Sequence, residues 1–315
     1  MKKVVITGAT GMIGISLIKE FVKSNVHVLA IVRPNSANIK YIKNPIVKII
    51  ESDLSNLQEI NISEEYDTFY HLGWIGTSGL EREHVELQVK NITYSIEAIK
   101  LAKRLKCQTF IGVGSQAEYG IVSKKISSNT RVDPKTPYGI AKFCSGKITQ
   151  VLASQLGINH IWTRILSVYG PYDKQDTLVM SSIRKMLENH QSPEYTKAEQ
   201  LWDYLYVKDA SRALYLIGEK GKKDSVYCIG SGKAKPLYEY IIEIRNQIDK
   251  NILLKLGKKE VSNNKIVNLC ADISNLTKDT GFIPEFSFKE GIAQTIKWFK
   301  ENNKNKKDEV NNEKN

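Results

Sequence analysis

Apolar runs that alternate with helical patterns predict an α/β fold, a doubly wound parallel sheet followed by a smaller C-terminal α/β lobe. Three observations carry this expectation. Residues Met1 to Gly14 pass from an apolar run through a glycine-rich turn straight into a helix pattern. Short apolar runs bounded by turn residues then recur, with helical segments between them, as far as Leu166. Beyond Tyr169 the runs shorten and the polar loops lengthen, so the second half is built on a different plan.

The first strand is Val4-Val5-Ile6, apolar on both sides of the pleat as a strand covered on both faces requires. Ile15, Leu17, Ile18, Phe21 and Val22 follow at helical spacing. Residues 26–32 are a second strand ending at Arg33-Pro34, residues 46–50 a third ahead of Asp53, and residues 67–72 a fourth closing on Gly73. A helix is predicted over about 79–106, a fifth strand over 107–113, a helix over about 138–156 and a sixth strand over 160–166. The lobe reads as helices at 178–187, 209–217, 237–248 and about 288–300, with strands at 201–207 and 225–229. Residues 1–168 thus form a nucleotide-binding unit to which some later segments return. Residues 169–300 form mainly a smaller second lobe, to which the family resemblance described below assigns the substrate, and the polar residues 301–315 are expected to be disordered.

Composition narrows the function. The 315 residues are 41% apolar and 25% charged, an ordinary globular balance with room for one large domain or two unequal lobes. No apolar run approaches the ~20 residues that span a bilayer. Lys2-Lys3 lead into a stretch broken by glycines with no small-x-small cleavage site, so no membrane insertion and a cytoplasmic location are expected. Cys107, Cys144, Cys228 and Cys270 are scattered and the five histidines lack ligand spacing, which predicts reduced thiols and no metal site. The net charge of +12 comes from dispersed lysines without interleaved aromatics, which fits a solvated surface and a phosphorylated ligand better than nucleic acid.

Chemistry-bearing residues fall at the predicted strand ends. Gly8 suits a tight turn out of the strand, Gly11 leaves room for a pyrophosphate against backbone N–H groups, and Gly14 suits close packing of the helix on the sheet. The helix N-terminus adds a field favourable to phosphate. Tyr138 and Lys142, four residues apart behind Pro137, share one helix face near its start. An ammonium there is expected to lower the phenol's pKa from ~10 toward neutrality, making Tyr138 a proton carrier for a carbonyl/alcohol pair. Ser115, at the end of the fifth strand, is placed to bond the same oxygen.

Taken together, Thr7-Gly8-Ala9-Thr10-Gly11-x-x-Gly14, Asp53, His71-Leu72-Gly73, Asn91, Ser115 with Tyr138/Lys142, residues 163–171, residues 201–209 and Asp272-x-Ser274…Gly281-Phe282-x-Pro284 resemble the extended short-chain dehydrogenases/reductases of the nucleotide-sugar epimerase/dehydratase family. The resemblance covers about residues 3–300. It implies a Rossmann-type domain that holds NAD or NADP through Gly8, Thr10, Gly11, Met12, Ile13, Gly14, Arg33, Asp53, Leu54, Leu72, Gly73, Asn91, Tyr138 and Lys142. It implies Ser115, Tyr138 and Lys142 as the catalytic set, a nucleoside-diphosphate sugar as substrate, and a homodimer.

Departures from the family pattern refine the expectation. Gln116-Ala117 stand where 4,6-dehydratases carry Asp-Glu, so a dehydratase is not expected and Glu118 is out of register for that work. No acid ends the second strand, and Arg33 suits a 2′-phosphate, which puts NADP slightly ahead of NAD. Trp202 and Ala271 replace arginines that often hold the pyrophosphate, leaving Arg184, Lys185 or Lys197 as stand-ins and Gln116, Ser167 and Trp202 as further substrate contacts. The predicted activity is hydride transfer at sugar C4, by 4-epimerisation or 4-keto-6-deoxyhexose reduction in deoxysugar or surface-polysaccharide precursor synthesis. A non-catalytic NAD(P)-sensing scaffold is the alternative, though such a protein would not need both Tyr138 and Lys142.

Overall fold

A computed structural model describes residues 1–260 and 268–312, with side chains described as far as residue 304. Its elements follow the predicted alternation: β1 (Lys3–Thr7), α1 (Met12–Lys23), β2 (His27–Val32), β3 (Val47–Glu51), β4 (Thr68–His71), α2 (Val85–Arg104), β5 (Thr109–Ser115), α3 (Pro137–Leu156) and β6 (Asn159–Ile165). The second half adds β7 (Ser167–Tyr169), α4 (Leu178–Asn189), β8 (Leu201–Trp202), β9 (Tyr204–Tyr206), α5 (Val207–Lys220), β10 (Val226–Ile229), β11 (Lys235–Pro236), α6 (Leu237–Ile248), α7 (Ser274–Thr280) and α8 (Phe288–Asn312).

Seven parallel strands form one sheet in the order β10-β6-β5-β4-β1-β2-β3. The pleat divides β1 between two cores. Val4 and Ile6 pack with Ile15, Ile18 and Phe21 of α1 and Leu214 of α5, whereas Val5 packs with Ile99 and Leu101 of α2 and Ala153 of α3. Burial on both faces is why the strands read as continuous apolar runs. Strand β10 comes from the second half and closes the sheet beside β6, the return of a late segment to the first unit. Helices α4, α6 and α8 enclose the lobe's own core, in which Tyr169, Tyr206 and Phe288 cluster. Two small pairings serve that lobe, β7 with β9 in parallel and β8 with β11 antiparallel.

Two local predictions are corrected. The helix expected over 79–106 breaks: Gly79–Glu83 is a 3-10 turn, and α2 starts afresh because the His84 ring accepts the Leu87 N–H as its N-cap. The strand expected over 201–207 is split at Asp203, whose buried carboxylate accepts the N–H groups of Ser231, Gly232 and Ala271 and bends the chain away from regular pairing. The 3-10 turn's glycine at 79 and this carboxylate act against the apolar pattern that suggested unbroken elements. Helix α7 and strand β7 were not anticipated, since both are too short for periodicity to register. Finally, α8 continues through most of the stretch expected to be disordered, with Asn302 bonded to Tyr41 and Asn303 to Glu188, while residues 313–315 lie outside the described residues.

Candidate active site

The strand order reverses between β1 and β4, and there the chain leaves both strands on glycine. Gly8 has φ +71°, a conformation only glycine adopts without strain, and a Cβ on it would stand 2.7 Å from the Gly73 nitrogen. The two strand ends therefore form one crevice, the position at which open α/β sheets take their ligands. Leu72 donates its N–H to the Thr7 carbonyl, Gly73 donates to Thr7 Oγ1, and Leu54 closes over Gly73. Gly11 is the N-cap of α1, and a Cβ there would meet only the Gly8 carbonyl at 3.4 Å, so its outer side is open to a ligand. Met12 and Ile13 are half-buried behind it. Gly14 serves a different contact from the one expected: its missing Cβ faces the Gly8 and Ala9 carbonyls of the turn itself, the latter at 2.8 Å, rather than the sheet.

Two connections define the edges of the crevice. Thr10 accepts Ser36 Oγ–H at its hydroxyl (3.1 Å) and Asn38 Nδ2–H at its carbonyl (3.1 Å), tying the glycine turn to the loop after β2. Arg33 begins that loop and Asp53 follows β3, both exposed. The loop also takes a carboxylate from the neighbouring strand, since Asn35 donates its N–H to Glu51. On the other side, Asn91 of α2 is buried and brackets Ile75, accepting its N–H and donating to its carbonyl, both at 2.9 Å. Asn91 thus holds the chain after β4 and does not itself face the crevice as a free donor. Behind it, Thr7, His71 and Ser95 form a buried hydrogen-bonded chain, and burial lowers His71 to about 3, which keeps the ring neutral.

Helix α3 brings Tyr138 and Lys142 to this crevice. Thr136 caps it by accepting the Gly139 N–H, Pro137 occupies its first turn, and Gly157 ends it in the left-handed conformation. Tyr138 lies in the first turn and Lys142 in the second, 8% and 4% exposed. Lys142 donates to the Val113 carbonyl of β5 (2.7 Å), its ammonium lies 3.8 Å from the Trp74 ring centroid, and burial lowers its pKa to about 7 against an opposing pull from Glu118. The expected effect of Lys142 on the phenol is overturned. Burial raises the Tyr138 pKa above its ordinary value, and the groups that pull it back are the Ser115 hydroxyl and Arg82. Lys142 is instead 5.9 Å from the Tyr138 ring centroid and engaged elsewhere, whereas the Arg82 guanidinium lies 4.4 Å above that ring.

Ser115 ends β5 and caps the 3-10 turn Gln116–Tyr119, accepting the Ala117 N–H. Its own N–H goes to Glu118 (2.9 Å), a residue with 0% exposure. Glu118 also accepts Trp162 Nε1–H at 3.1 Å and forms a buried ion pair with Arg164 Nε at 2.7 Å, while Arg164 donates onward to the Tyr119 hydroxyl. The sequence reading set Glu118 out of register for the acid-base work of a dehydratase and missed this anchoring. The signal was present: Ser115-x-x-Glu118 is a capping box. Trp162 explains another glycine pattern, because Gly112 and Gly114 of β5 and Gly146 of α3 all abut its ring. A Cβ on Gly146 would lie 2.8 Å from Trp162 Cε2, so the glycine sets how closely α3, and with it Tyr138, approaches the sheet.

The residues expected on the substrate side are less converged. Gln116 is half-buried at the end of β5, and Ser167 begins β7 opposite Tyr204. Trp202 packs against Tyr204, and its Nε1 is buried without an acceptor among the described residues. Arg184, Lys185 and Lys197 stand exposed on the lobe.

A parallel sheet with a glycine crevice at its switch point, flanked by a serine and a Tyr/Lys helix, defines a dinucleotide-dependent enzyme of the extended short-chain dehydrogenase/reductase class. Residues 4–230 match the profile of the NAD dependent epimerase/dehydratase family, and the chain belongs to that family. Over 307 residues, 93% of this chain and 96% of the relative, it is 24% identical to a Bacillus subtilis protein named an uncharacterized UDP-glucose epimerase, YtcB. It is 28% identical to dTDP-glucose 4,6-dehydratase 1 of Escherichia coli K12, across 56% of this chain and 51% of that enzyme. Among solved structures it superposes on a UDP-N-acetylglucosamine 4-epimerase of Methanobrevibacter ruminantium, in complex with UDP-N-acetylmuramic acid, with TM-score 0.86 and 25% identity, covering 96% of this chain and 99% of that one. A Bacillus cereus UDP-glucuronic acid 4-epimerase bound to NAD shares the fold with TM-score 0.84 at 23% identity, covering 95% and 99% of the two chains. No described helix is long and apolar enough to cross a membrane.

Proposed function

We propose that this protein is an NAD(P)-dependent oxidoreductase of nucleoside-diphosphate sugars acting at sugar C4, as a 4-epimerase or a 4-keto-6-deoxyhexose reductase. The observation that carries the reading is the convergence of Ser115, Tyr138 and Lys142 on the glycine crevice, with Gln116-Ala117 beside them in place of proton-transferring acids. The crevice fits a dinucleotide, since the open side of Gly11 faces the N-terminus of α1 and the first turn of that helix carries no acidic side chain. A bound nicotinamide supplies the hydride chemistry. The chain's own residues then handle position and protons. Tyr138 exchanges a proton with the C4 oxygen, the Ser115 hydroxyl holds the same oxygen, and Lys142 supplies positive charge and a ribose contact from the second turn of α3. The neutral amide of Gln116 and the methyl of Ala117 support assignment away from water elimination.

Substrates named for the relatives support a UDP-sugar as the first candidate. Arg33 is the group a 2′-phosphate would use, so NADP against NAD binding by wild type and by Arg33→Ala reads cofactor choice directly. Exposed apolar residues gather on two neighbouring helices, Val85 and Val89 of α2 with Ile140, Ile148 and Val151 of α3, and support a homodimer through that face. The test of function is a panel of UDP-, dTDP- and CDP-sugars with NAD and NADPH. Tyr138→Phe is expected to cut turnover by about 10²–10⁴-fold while cofactor still binds. Folded, cofactor-loaded wild type that interconverts no C4 epimers and reduces no 4-keto sugar would defeat the proposal, and a Tyr138→Phe variant with undiminished turnover would move the chemistry elsewhere.

A further inference from the structure

The cation nearest the candidate catalytic phenol comes from the segment between β4 and α2. Arg82 belongs to the 3-10 turn Gly79–Glu83, and its guanidinium lies 4.4 Å from the Tyr138 ring centroid. Trp74 meets the same phenol ring edge-on, with 6.1 Å between ring centroids, so the phenol has both an indole and a guanidinium as neighbours. The turn carrying Arg82 is held firmly. Gln88 donates to the Gly76 carbonyl (2.9 Å) and to the Glu81 carbonyl (2.8 Å), Asn91 brackets Ile75, and Lys174 reaches across from the lobe to Thr77 (2.9 Å) and Ser78 (2.7 Å).

Arg82 is half-buried and makes no ion pair with any described carboxylate, although Glu81 and Glu83 flank it in sequence. A partly desolvated guanidinium without a counter-charge is costly to hold. Its planar fork of donors is suited to a two-oxygen anion. The cations expected to hold the diphosphate, Arg184, Lys185 and Lys197, stand exposed on the lobe, and Trp202 is uncharged.

We propose that Arg82 is a substrate-binding residue that receives an anionic oxygen pair next to Tyr138, from the diphosphate or from a carboxylate on the sugar. The proposal rests on the nucleotide-sugar reading above. Bound there, the anion supplies the missing counter-charge and fixes the sugar against the phenol, while the rigid turn keeps the ordering cost low.

The test uses the full chain with Arg82→Gln, which removes the charge, and Arg82→Lys, which keeps the charge but loses the fork. Calorimetry measures binding of UDP, UDP-glucose and UDP-glucuronic acid, with the dTDP and CDP nucleotides in parallel, and steady-state kinetics separates KM from kcat. Loss of one charge-assisted contact is expected to weaken binding about 10–100-fold in Arg82→Gln, with Arg82→Lys intermediate and thermal midpoints unchanged. Equal weakening for UDP and both sugars identifies the diphosphate as the anion, and weakening confined to UDP-glucuronic acid identifies the sugar carboxylate. Undiminished affinity of Arg82→Gln for every ligand that wild type binds overturns the assignment while leaving the reading of function intact. Wild type that binds none of the nucleotides overturns both.

Discussion

Replacing Glu118 by glutamine is the most informative perturbation of the scaffold behind the site. Glu118 accepts the Ser115 N–H, the Trp162 Nε1–H and the Arg164 Nε–H within a fully buried pocket. Glutamine keeps one acceptor oxygen for Ser115 and Trp162 but turns an NH₂ donor toward the Arg164 donor. The guanidinium is then buried opposite a group it cannot pair with. Breaking one side of a buried ion pair costs about 3–5 kcal/mol. At about 2–4 °C per kcal/mol, the thermal midpoint falls by roughly 6–20 °C. Urea unfolding followed by circular dichroism measures the loss, and Glu118→Leu with Arg164→Leu recovers part of it, because no charge is left unpaired although the Ser115 and Trp162 N–H groups lose this acceptor. Chemistry moves as well. Glu118 holds the Lys142 pKa up against burial, so its removal shifts the alkaline fall in turnover to lower pH. A Glu118→Gln protein within about 1 kcal/mol of wild type, or a double variant no more stable than the single, would refute the reasoning.

Three further outcomes follow from the same structure. Lys142 has a pKa of about 7 in the fold against ~10.4 unfolded, so the unfolded chain binds the extra proton between those values and stability rises with pH across that window. Urea midpoints of wild type and Lys142→Met should therefore diverge in favour of wild type from pH 7 to 10, and parallel curves would contradict this. His71 and His160 are held neutral by burial, at about 3 and about 4. Below ~6.5 the unfolded chain takes up protons that the fold excludes, so stability drops from there toward pH 4 and His160→Phe should flatten the drop. Gly146→Ala forces a Cβ against Trp162 and should cost about 1–3 kcal/mol, with kcat reduced because α3 and Tyr138 are pushed from the sheet; an unchanged melting curve would show that Trp162 yields freely.

Much of the fold was legible because local rules dictated it. β1 and β2 are apolar on both faces and announce a covered parallel sheet, and Thr136-Pro137 with Gly157 marks both ends of α3. The glycine turn and the Ser115/Tyr138/Lys142 set were legible as a pattern for the same reason, each member sitting at a strand end or helix start. What failed to register lay across the chain. Glu118 and Arg164 are 46 residues apart, and nothing near either residue announces the other. His84 and Asp203 break elements whose apolar pattern runs on, because a ring nitrogen and a carboxylate satisfy backbone donors that regular structure would have used.

The amino-acid order by itself determined most of the elements, the glycine turn at the end of β1 and the pattern that marks Ser115, Tyr138 and Lys142. Periodicity, turn chemistry and capping act within a few residues, so they survive in a linear reading. Tertiary structure alone decided the electrostatics of those groups. Folding buries Lys142 and turns it toward Val113, raises the Tyr138 phenol by desolvation, and sets Arg82 on its ring from a turn 56 residues earlier. A pKa depends on the dielectric and the charges within several ångströms in every direction, and only packing brings those charges together.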